Sequence, residues 1–392
     1  MIINLDHNAT TAIHPEVAQA MAECYLAGYG NAASSHQHGR RARQVLEDAR
    51  EGIGRLVGAD MTGVQADRII LTSGGTEANN LALFGMAGTR PGRVIISSVE
   101  HPSVMGPAEQ LERRGFDVCR LRVDSAGVID ETHFDELLTP ATRLVSIMLA
   151  NNETGVLQPI ESLASRCRAL GVPFHTDAVQ AVGKIPVHFT QLQVTALTLT
   201  AHKFHGPRGV GALLIQRPAH IDPIVFGGFQ QMGLRPGTEP IELAVGLHHA
   251  LQVWQRDAQT RAARMSALRD RFEQLLRDAN VGVVINGLGA KRLPHTSNVA
   301  FPGLNCQAVH MALDMAGVAC SIGSACASGS TEPSAVLLAM HLPADIVDSS
   351  LRFSLGAFTT RQDIDTAAQR IIQALRRLHT ARQLNANMET TR

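Results

Sequence analysis

The chain has 392 residues, of which 45% are hydrophobic and 18% charged, and its 35 acidic and 35 basic residues cancel. This composition excludes a disordered chain and gives no general field to attract nucleic acid or anionic lipid. Because aromatic residues make up only 4%, a base-stacking surface is also not expected, so we predict neither nucleic acid nor a membrane as a partner.

Six cysteines are spread along the chain with no C-x-x-C pair, which is not the pattern of a disulfide-stabilised secreted domain. The first residues contain neither a basic region nor a long apolar run, and no stretch has the ~18 uninterrupted apolar residues of a membrane span. We therefore expect a cytoplasmic protein.

Short apolar runs alternate with helix-length amphipathic segments over the first two thirds of the chain. The predicted strands are Arg68–Thr72, Arg93–Ser97, Arg143–Ala150, Val172–His175, Thr195–Thr200 and Gly209–Ile215. Strands separated by helical patterns predict βαβ units and an α/β fold with a mostly parallel sheet. The last two strands have no clear helix between them and could form an antiparallel hairpin at the sheet edge.

A helical pattern from Glu239 to about Asp278 predicts one long helix that joins two domains. The shorter strands and helices that follow indicate an α+β lobe, which the first dozen residues complete. We predict a large domain at 14–255 and a small domain formed by 1–13 and 256–392.

The segment Leu71–Glu77 follows a strand, contains two glycines and opens a helix. Glycines let a ligand approach the backbone, and a helix N-terminus offers unpaired N–H groups to a phosphate. The alternative is an ordinary capped turn, with Ser73 or Thr76 as the N-cap and Glu77 in the first turn. On these residues alone the capped turn is favoured.

Two charged residues follow later strands. Asp177 lies where ligands bind in parallel sheets, although on its own a role as a helix N-cap is favoured. Lys203 comes directly after an apolar strand in a segment expected to be buried, and a desolvated lysine can act as nucleophile or base. His202 and His205 are three residues apart, but no acidic or cysteine ligand is near them in sequence, so we expect no metal site.

Cys326 lies in a run of small residues and has the setting of an exposed, reactive thiol. Cys24, Cys119 and Cys167 are expected to be inert packing residues, whereas the sequence leaves the roles of Cys306 and Cys320 open.

Together these segments resemble the cysteine desulfurases of the nitrogen-fixation and iron–sulfur-assembly type, which are pyridoxal 5′-phosphate (PLP) enzymes of fold type I in the class V aminotransferase family. The matching motifs include Leu5–Thr11, Glu100–Pro102, Asn151–Gly155, Arg235–Thr238, Gly323–Cys326 and Arg352–Gly356. The resemblance departs from the usual pattern at Gln231 and Met232, where the family commonly has Glu-Arg. It implies conversion of L-cysteine to L-alanine, with transfer of the sulfur to Cys326 as a persulfide.

The resemblance also implies roles for individual residues. Three are implied as catalytic: Lys203, Cys326 and His101. The implied cofactor-binding residues are Gly75, Thr76, His101, Asp177, Gln180, Thr200, His202, Lys203 and Thr238. Among these, Asp177 matches the aspartate on the pyridine nitrogen, and Thr238 matches a residue that reaches the phosphate of the other subunit. Asn152 and Arg352 match the residues that bind the substrate carboxylate.

The implied partners are a second copy of the chain, in a homodimer, and a sulfur acceptor such as an iron–sulfur scaffold or a thiolation enzyme. A selenocysteine lyase, or another PLP-dependent β-lyase of this fold, would share Lys203 and Asp177 and would depend less on Cys326. That is the alternative function.

Overall fold

The computed structural model describes residues 2–323 and 332–390. The strands in chain order are β1 (Ile3–Asn4), β2 (Arg68–Thr72), β3 (Arg93–Ser97), β4 (Asp117–Leu121), β5 (Thr142–Ser146), β6 (Phe174–Asp177), β7 (Ala196–Thr200), β8 (Gly211–Ile215), β9 (Val284–Asn286), β10 (Thr296–Ala300), β11 (Val318–Ala319) and β12 (Ser350–Ser354). The helices are α1 (Pro15–Leu26), α2 (Gln37–Leu56), α3 (Gly75–Ala87), α4 (Pro102–Arg113), α5 (Glu131–Leu137), α6 (Ile160–Ala169), α7 (Phe189–Leu192), α8 (Ile241–Arg256), α9 (Ala258–Asp278), α10 (Cys306–Met315), α11 (Ala335–Ala339), α12 (Ala344–Val347) and α13 (Arg361–Thr390).

The largest sheet has seven strands in the order β2-β8-β7-β6-β5-β3-β4. Only β8 runs against its neighbours β2 and β7, and the other pairs are parallel. Successive residues point to opposite faces, so Ile69 and Leu71 enter one apolar cluster and Ile70 another. Because both faces are covered, these strands are nearly all apolar. The mixed α/β sheet confirms the predicted fold class.

All six predicted strands of this sheet are present, with bounds shifted by a few residues, but β4 was not predicted. β7 and β8 do form the predicted antiparallel pair. Their predicted place at the sheet edge is wrong, because β2 pairs with the outer side of β8 and is itself the edge strand. The position of β2 depends on pairing between residues about 140 positions apart in sequence, which no local pattern indicates.

The single long helix predicted from Glu239 onward is also wrong. Asp257, with φ of −138°, separates α8 from α9 and interrupts the helical path. Aspartate disfavours helix interiors because its side chain competes for backbone groups, and it is common at helix starts. Arg261, in the first turn of α9, forms an ion pair with this aspartate.

The C-terminal part contains an antiparallel sheet, β12-β10-β9, and a parallel pair, β1-β11. Its apolar cluster includes Phe272 and Phe353 together with Ile3 and Leu5 from the start of the chain. Cys320 packs in the same cluster, and burial raises the pKa of its thiol to about 12, as expected of an inert residue. The predicted domain limits stay a prediction. No helix within 2–323 or 332–390 combines the length and apolarity needed to cross a bilayer.

Strand direction determines where polar side chains gather. β2, β3, β5, β6 and β7 all run the same way, so their C-terminal ends share one edge of the large sheet. In α/β sheets this is the edge where ligands bind.

Candidate active site

One cavity at this edge collects most of the residues predicted for the site. Those that line it are Gly75, Thr76, His101, Asn152, Asp177, Gln180, Thr200, His202, Lys203 and Arg352. They come from the C-terminal ends of β6 and β7, the loops that follow β5, β6 and β7, the starts of α3 and α4, and strand β12. Thr238 and Cys326 are not among the described lining residues.

Asp177 ends β6 and is 6% exposed. One carboxylate oxygen accepts from Nδ2 of Asn79 at 2.6 Å, and the other accepts from the main-chain N–H of Val179 at 2.9 Å. Turns rather than a helix follow it, so the alternative that Asp177 caps a helix is wrong. Two hydrogen bonds orient the carboxylate at the cavity wall.

Lys203 lies in a short 3-10 turn directly after β7 and is partly buried. Its Nζ donates to the main-chain oxygens of Asn8 at 2.6 Å and Ala9 at 2.9 Å. The amine is therefore held between β7 and the N-terminal segment, next to the cavity.

His101 is the N-cap of α4, and its Nδ1 accepts from the main-chain N–H of Ser103 at 3.1 Å. The neutral ring consequently carries its proton on Nε2. Burial lowers the pKa of His101, and the charges of Lys203 and Arg352 lower it further against the opposing effect of Asp177. An uncharged imidazole with a fixed tautomer thus lines the cavity.

The predicted phosphate end lies at the start of α3. Gly74 is its N-cap and no side chain caps the helix, so Ser73 and Thr76 are not the N-cap. Glu77 instead accepts from the main-chain N–H of Ser73 at 2.7 Å and pairs with Arg235 at 2.8 Å. The helix N-terminus therefore faces the cavity without a competing side-chain oxygen.

His202 and Thr200 border the same end. Burial, reinforced by the charge of Lys203, lowers the pKa of His202 to about 4, so this ring is neutral near pH 7. The hydroxyl of Thr200 donates to the main-chain oxygen of Val210 at 2.9 Å, which leaves its oxygen able to accept.

The other end of the cavity contains Arg352, which is 1% exposed. Its guanidinium donates to the main-chain oxygen of Asn152 at 3.1 Å and to the carboxylate of Asp6 at 2.8 Å. The sequence offered a surface ion pair as the alternative for this arginine; its guanidinium is instead buried and lines the cavity, and it pairs with the partly exposed carboxylate of Asp6. A planar guanidinium in such a position can bind a carboxylate through two hydrogen bonds.

The cavity suits PLP in its chemistry. Four of its side chains have a buried polar atom with no hydrogen-bond partner: Oδ1 of Asn79, Oδ1 of Asn152, Oε1 of Gln180 and Nε of Arg352. Such atoms are costly unless a ligand or water pairs with them. At Gly75 a side-chain Cβ would lie 2.9 Å from Val179, so a larger residue at this point of the cavity wall would clash with that side chain. The residues present therefore fit the cofactor.

The loop before α8 explains the departure from the family pattern at Gln231. Its amide accepts from the N–H of Leu71 at 2.7 Å and donates to the oxygen of the same residue at 2.8 Å. It thereby occupies the free edge of β2, which a glutamate could not do because it has no N–H to donate. Met232 is 57% exposed, and Thr238 is also exposed and outside the cavity.

Cys326 lies outside the described residues, in the segment 324–331. The chain that leads toward it pairs with the arginine strand: Ser321 and Arg352 exchange main-chain hydrogen bonds of 3.1 and 2.8 Å. Ser321 is therefore a direct neighbour of Arg352, which lines the cavity.

Several residues of the site were not singled out from the sequence. Asn79 orients Asp177, Asp6 pairs with Arg352, and Asn8 supplies an acceptor for Lys203. The sequence does indicate a role for Asn79, since an amide in the middle of the apolar helix α3 needs a buried hydrogen-bond partner. Apart from the motif that contains them, no local pattern indicates Asp6 or Asn8, because their partners are 346 and 195 residues away in sequence.

Comparisons with known proteins agree with this geometry. The family "aminotransferase class-V" matches residues 3–366. Cysteine desulfurase IscS of Dictyoglomus turgidum is 40% identical over 380 residues, covering 95% of each chain. A cysteine desulfurase of Bradyrhizobium diazoefficiens is 39% identical over 392 residues, covering 99% of this chain and 98% of its own.

Solved structures give the same result. A NifS-like protein superposes with a TM-score of 0.88 at 32% identity, covering 96% of this chain and 100% of its own. The DndA protein of Streptomyces lividans superposes with a TM-score of 0.73 at 36% identity, covering 88% and 97%. The family match spans most of the chain and includes every described residue of the cavity. The chain belongs to the class-V aminotransferase family.

Proposed function

We propose that this protein is a PLP-dependent cysteine desulfurase that converts L-cysteine to L-alanine and transfers the sulfur to its own Cys326. The observation that carries the proposal is the meeting of Lys203, Asp177, His101 and Arg352 in one cavity. The cavity offers an amine, a carboxylate, a neutral imidazole and a guanidinium, and the relatives called cysteine desulfurase match nearly the whole chain.

Asp177, His101 and Gln180 hold the ring of the cofactor in this proposal. When bound, PLP accepts the electrons left at the substrate Cα after its proton is removed. The Asp177 carboxylate would keep a proton on the pyridine nitrogen of bound PLP, and the hydrogen bond from Asn79 holds this carboxylate in place. Gln180 has an unpaired oxygen, and its amide pairs with the main-chain oxygen of Asn8 at 3.2 Å, so it has capacity left for the ring oxygen.

The phosphate group is assigned to the start of α3. Gly75 and Thr76 offer main-chain N–H groups there, and Thr200 and His202 close the opposite side. Thr238 is proposed to complete the phosphate site of the partner in a homodimer, which agrees with its exposure and its distance from its own cavity.

Lys203 holds the cofactor before substrate arrives and is the base afterwards. The carbonyls of Asn8 and Ala9 accept hydrogen bonds from its Nζ and thus fix the amine beside the cavity. An amine held within hydrogen-bond reach is suited to remove the Cα proton and return it to another atom.

Arg352 and Asn152 bind the carboxylate of cysteine. Asp6 accepts a hydrogen bond from the guanidinium of Arg352, while Nε of Arg352 remains unpaired. A bidentate contact with the substrate carboxylate would orient the substrate Cα toward Lys203.

Cys326 is proposed as the sulfur acceptor because it lies in a run of small residues, where an exposed and reactive thiol is expected. Its thiolate attacks the substrate sulfur, the sulfur–carbon bond breaks, and the electron pair of that bond passes to the substrate carbon. One cysteine and one enzyme thiol then become one alanine and one persulfide. His101 is the proposed group for moving protons near this step.

The persulfide would pass to a protein acceptor, an iron–sulfur scaffold or a thiolation enzyme. We also propose that the protein forms a homodimer and is located in the cytoplasm. The selenocysteine lyase alternative is not favoured, because the curated relatives reported above carry the name cysteine desulfurase.

The test is a single turnover with isotopically labelled cysteine followed by mapping of the persulfide. Cys326→Ser should bind cofactor and cysteine normally and yield neither persulfide nor catalytic alanine. Cys320→Ser is the matched control, because that thiol is buried in the small apolar cluster and should be dispensable for turnover. Sulfide release by Cys326→Ser at near the normal rate would contradict the proposal and favour a β-lyase.

A further inference from the structure

Lysine is rare in this chain. It occurs only at positions 184, 203 and 291, so arginine supplies nearly all of the 35 basic residues. Arginine and lysine differ in one property that matters inside a protein: the guanidinium stays charged, whereas an amine can lose its proton. Lys291 is exposed, and Lys203 lines the cavity. The third, Lys184, is 3% exposed and takes no part in the mechanism proposed for the cavity.

The Lys184 amine is tied to the cofactor lysine itself. The residue lies in the turn that follows β6, seven positions after Asp177. Its Nζ donates to the main-chain oxygen of Lys203 through a short hydrogen bond. Lys184 thus binds the main-chain oxygen of Lys203, whereas the main-chain oxygens of Asn8 and Ala9 bind the amine of Lys203.

Three imidazoles from three separate segments lie close enough to Lys184 for its charge to lower their pKa values. They are His7 before α1, His205 after β7, and His295 before β10. His205 donates from Nδ1 to the oxygen of Ala12 at 2.8 Å and accepts at Nε2 from the N–H of Ala357 at 3.1 Å, so its ring is neutral.

Burial and the field of Lys184 lower the pKa of His7 to about 4 and that of His205 to about 3. They also lower the pKa of His295. The charged groups that act on Lys184 are both cations, Lys203 and Arg261 of α9, and together with burial they lower its pKa to about 7. None of the groups named here supplies a negative charge to balance the ammonium.

We propose that Lys184 is a positioning residue for Lys203: its amine orients the Lys203 main chain, and its positive charge favours loss of the proton from Nζ of Lys203. A neighbouring cation is a known means of activating a buried lysine, because two like charges in one desolvated site disfavour each other. The effect is reciprocal, since Lys203 acts on Lys184 in the same way, and the two amines titrate as a pair.

The inference rests on the proposed function, in which Lys203 carries PLP. It makes a prediction that a packing role does not make. If Lys184 only fills space, its replacement changes stability and leaves the protonation of the Lys203 nitrogen where it was. If its charge acts, replacement moves that protonation to higher pH.

The experiment uses purified holoenzyme and follows the visible absorption of PLP bound to Lys203 as a function of pH. Lys184→Met removes charge and donor, Lys184→Gln keeps a donor without charge, and Lys291→Met is the control at an exposed lysine. We expect the midpoint of the absorption change to rise by about one pH unit in both Lys184 variants, since a nearby like charge shifts a pKa by this order. It should stay unchanged in Lys291→Met. A wild-type midpoint in Lys184→Met would overturn the inference.

A measurement on the unmodified protein covers the case in which the Lys184 variants do not fold. Because the protonation of the Lys203 nitrogen is coupled to that of the Lys184 amine, the wild-type curve should be broader than the curve for a single proton. A curve that follows one proton would contradict the inference. The outcome is distinct from a failure of the proposed function, which would appear as cofactor attached to a lysine other than Lys203.

Discussion

The two ends of the cavity are built in different ways. The end that would hold the ring, with Asp177, His101 and Lys203, comes from segments that follow strands of one sheet, within about 100 residues of sequence. The end that would hold the substrate carboxylate needs Arg352 from β12 and Asp6 from the N-terminus, 346 residues apart. The first end follows from one sheet's topology, whereas the second exists only when distant parts of the chain come together.

The two ends also differ in charge. At the ring end the carboxylate of Asp177 acts on the imidazole of His101, whose pKa is lowered by burial, and His202 at the neighbouring phosphate end is likewise neutral. At the other end a fully buried guanidinium pairs with a partly exposed carboxylate. Changes at the ring end should therefore alter cofactor binding and proton transfer. Changes at the carboxylate end should alter the affinity for cysteine.

The largest effect is expected from Lys203→Ala. Removing the base should lower kcat by about 10²- to 10⁴-fold, the usual range for a positioned acid–base group, and should abolish covalent attachment of PLP. The measurement is alanine formation under saturating cysteine, with Lys291→Ala as the control. Normal turnover in Lys203→Ala would contradict the assignment of Lys203 as the base at the ring end of the cavity.

Arg352→Lys tests the carboxylate end. A lysine keeps the charge but loses the two-pronged contact, so KM for cysteine should rise by about 10- to 100-fold while the cofactor spectrum stays as in the wild type. Arg120→Lys is a matched control, because this arginine makes a bidentate pair with Glu112 at the surface. An altered cofactor spectrum with an unchanged KM would contradict the separation of the two ends.

The neutral histidines predict a sensitivity to acid. The pKa is lowered to about 3 in His175, about 3 in His205 and about 4 in His202, mainly by burial. As the pH falls below about 6.5 the unfolded chain takes up these protons first, so the stability present above that pH is lost between about 6.5 and 4 for His202 and between about 6.5 and 3 for His175 and His205.

Each such histidine should contribute a loss of about 1.4 kcal/mol per pH unit to the free energy of unfolding. Urea unfolding of the protein at pH 7 and pH 5 measures it. Replacing the exposed His220 by Gln should leave the slope unchanged. Equal stability at the two pH values would show that these imidazoles are not held neutral.

The smallest effect is expected from Asp6→Asn. The amide keeps a hydrogen-bond acceptor for Arg352 but removes the charge, and the carboxylate is partly exposed to solvent. Since partly exposed ion pairs contribute about 1 kcal/mol or less, KM for cysteine should change by no more than about fivefold. A rise in KM as large as that expected for Arg352→Lys would show that Asp6 also takes part in substrate binding.

The sequence predicted the ring end better than the carboxylate end, for a physical reason. Asp177 and Lys203 each follow an apolar strand, so local pattern and strand direction were enough to bring them to one edge. The burial of Arg352 depends on β12 pairing with β10 and on the N-terminal segment, which no local pattern encodes. The family resemblance, and not periodicity, pointed to this residue.

Other features needed three-dimensional contacts to become visible. Gln231 differs from the family residue, and only its pairing with Leu71 shows that it covers the edge of β2. Lys184 has an unremarkable place in a turn, and its burial beneath Lys203 follows from the packing of three segments around it. The break at Asp257 was missed because the helical pattern continues on both sides of it.

Borohydride reduction of the holoenzyme followed by peptide mapping tests the central claim most directly. The chain has three lysines, so PLP can be fixed on the side chain of residue 184, 203 or 291. The account predicts the label on the peptide that carries Lys203, at one cofactor per chain, and none on the other two. Recovery of the label on Lys184 or Lys291 would contradict the assignment of the cavity.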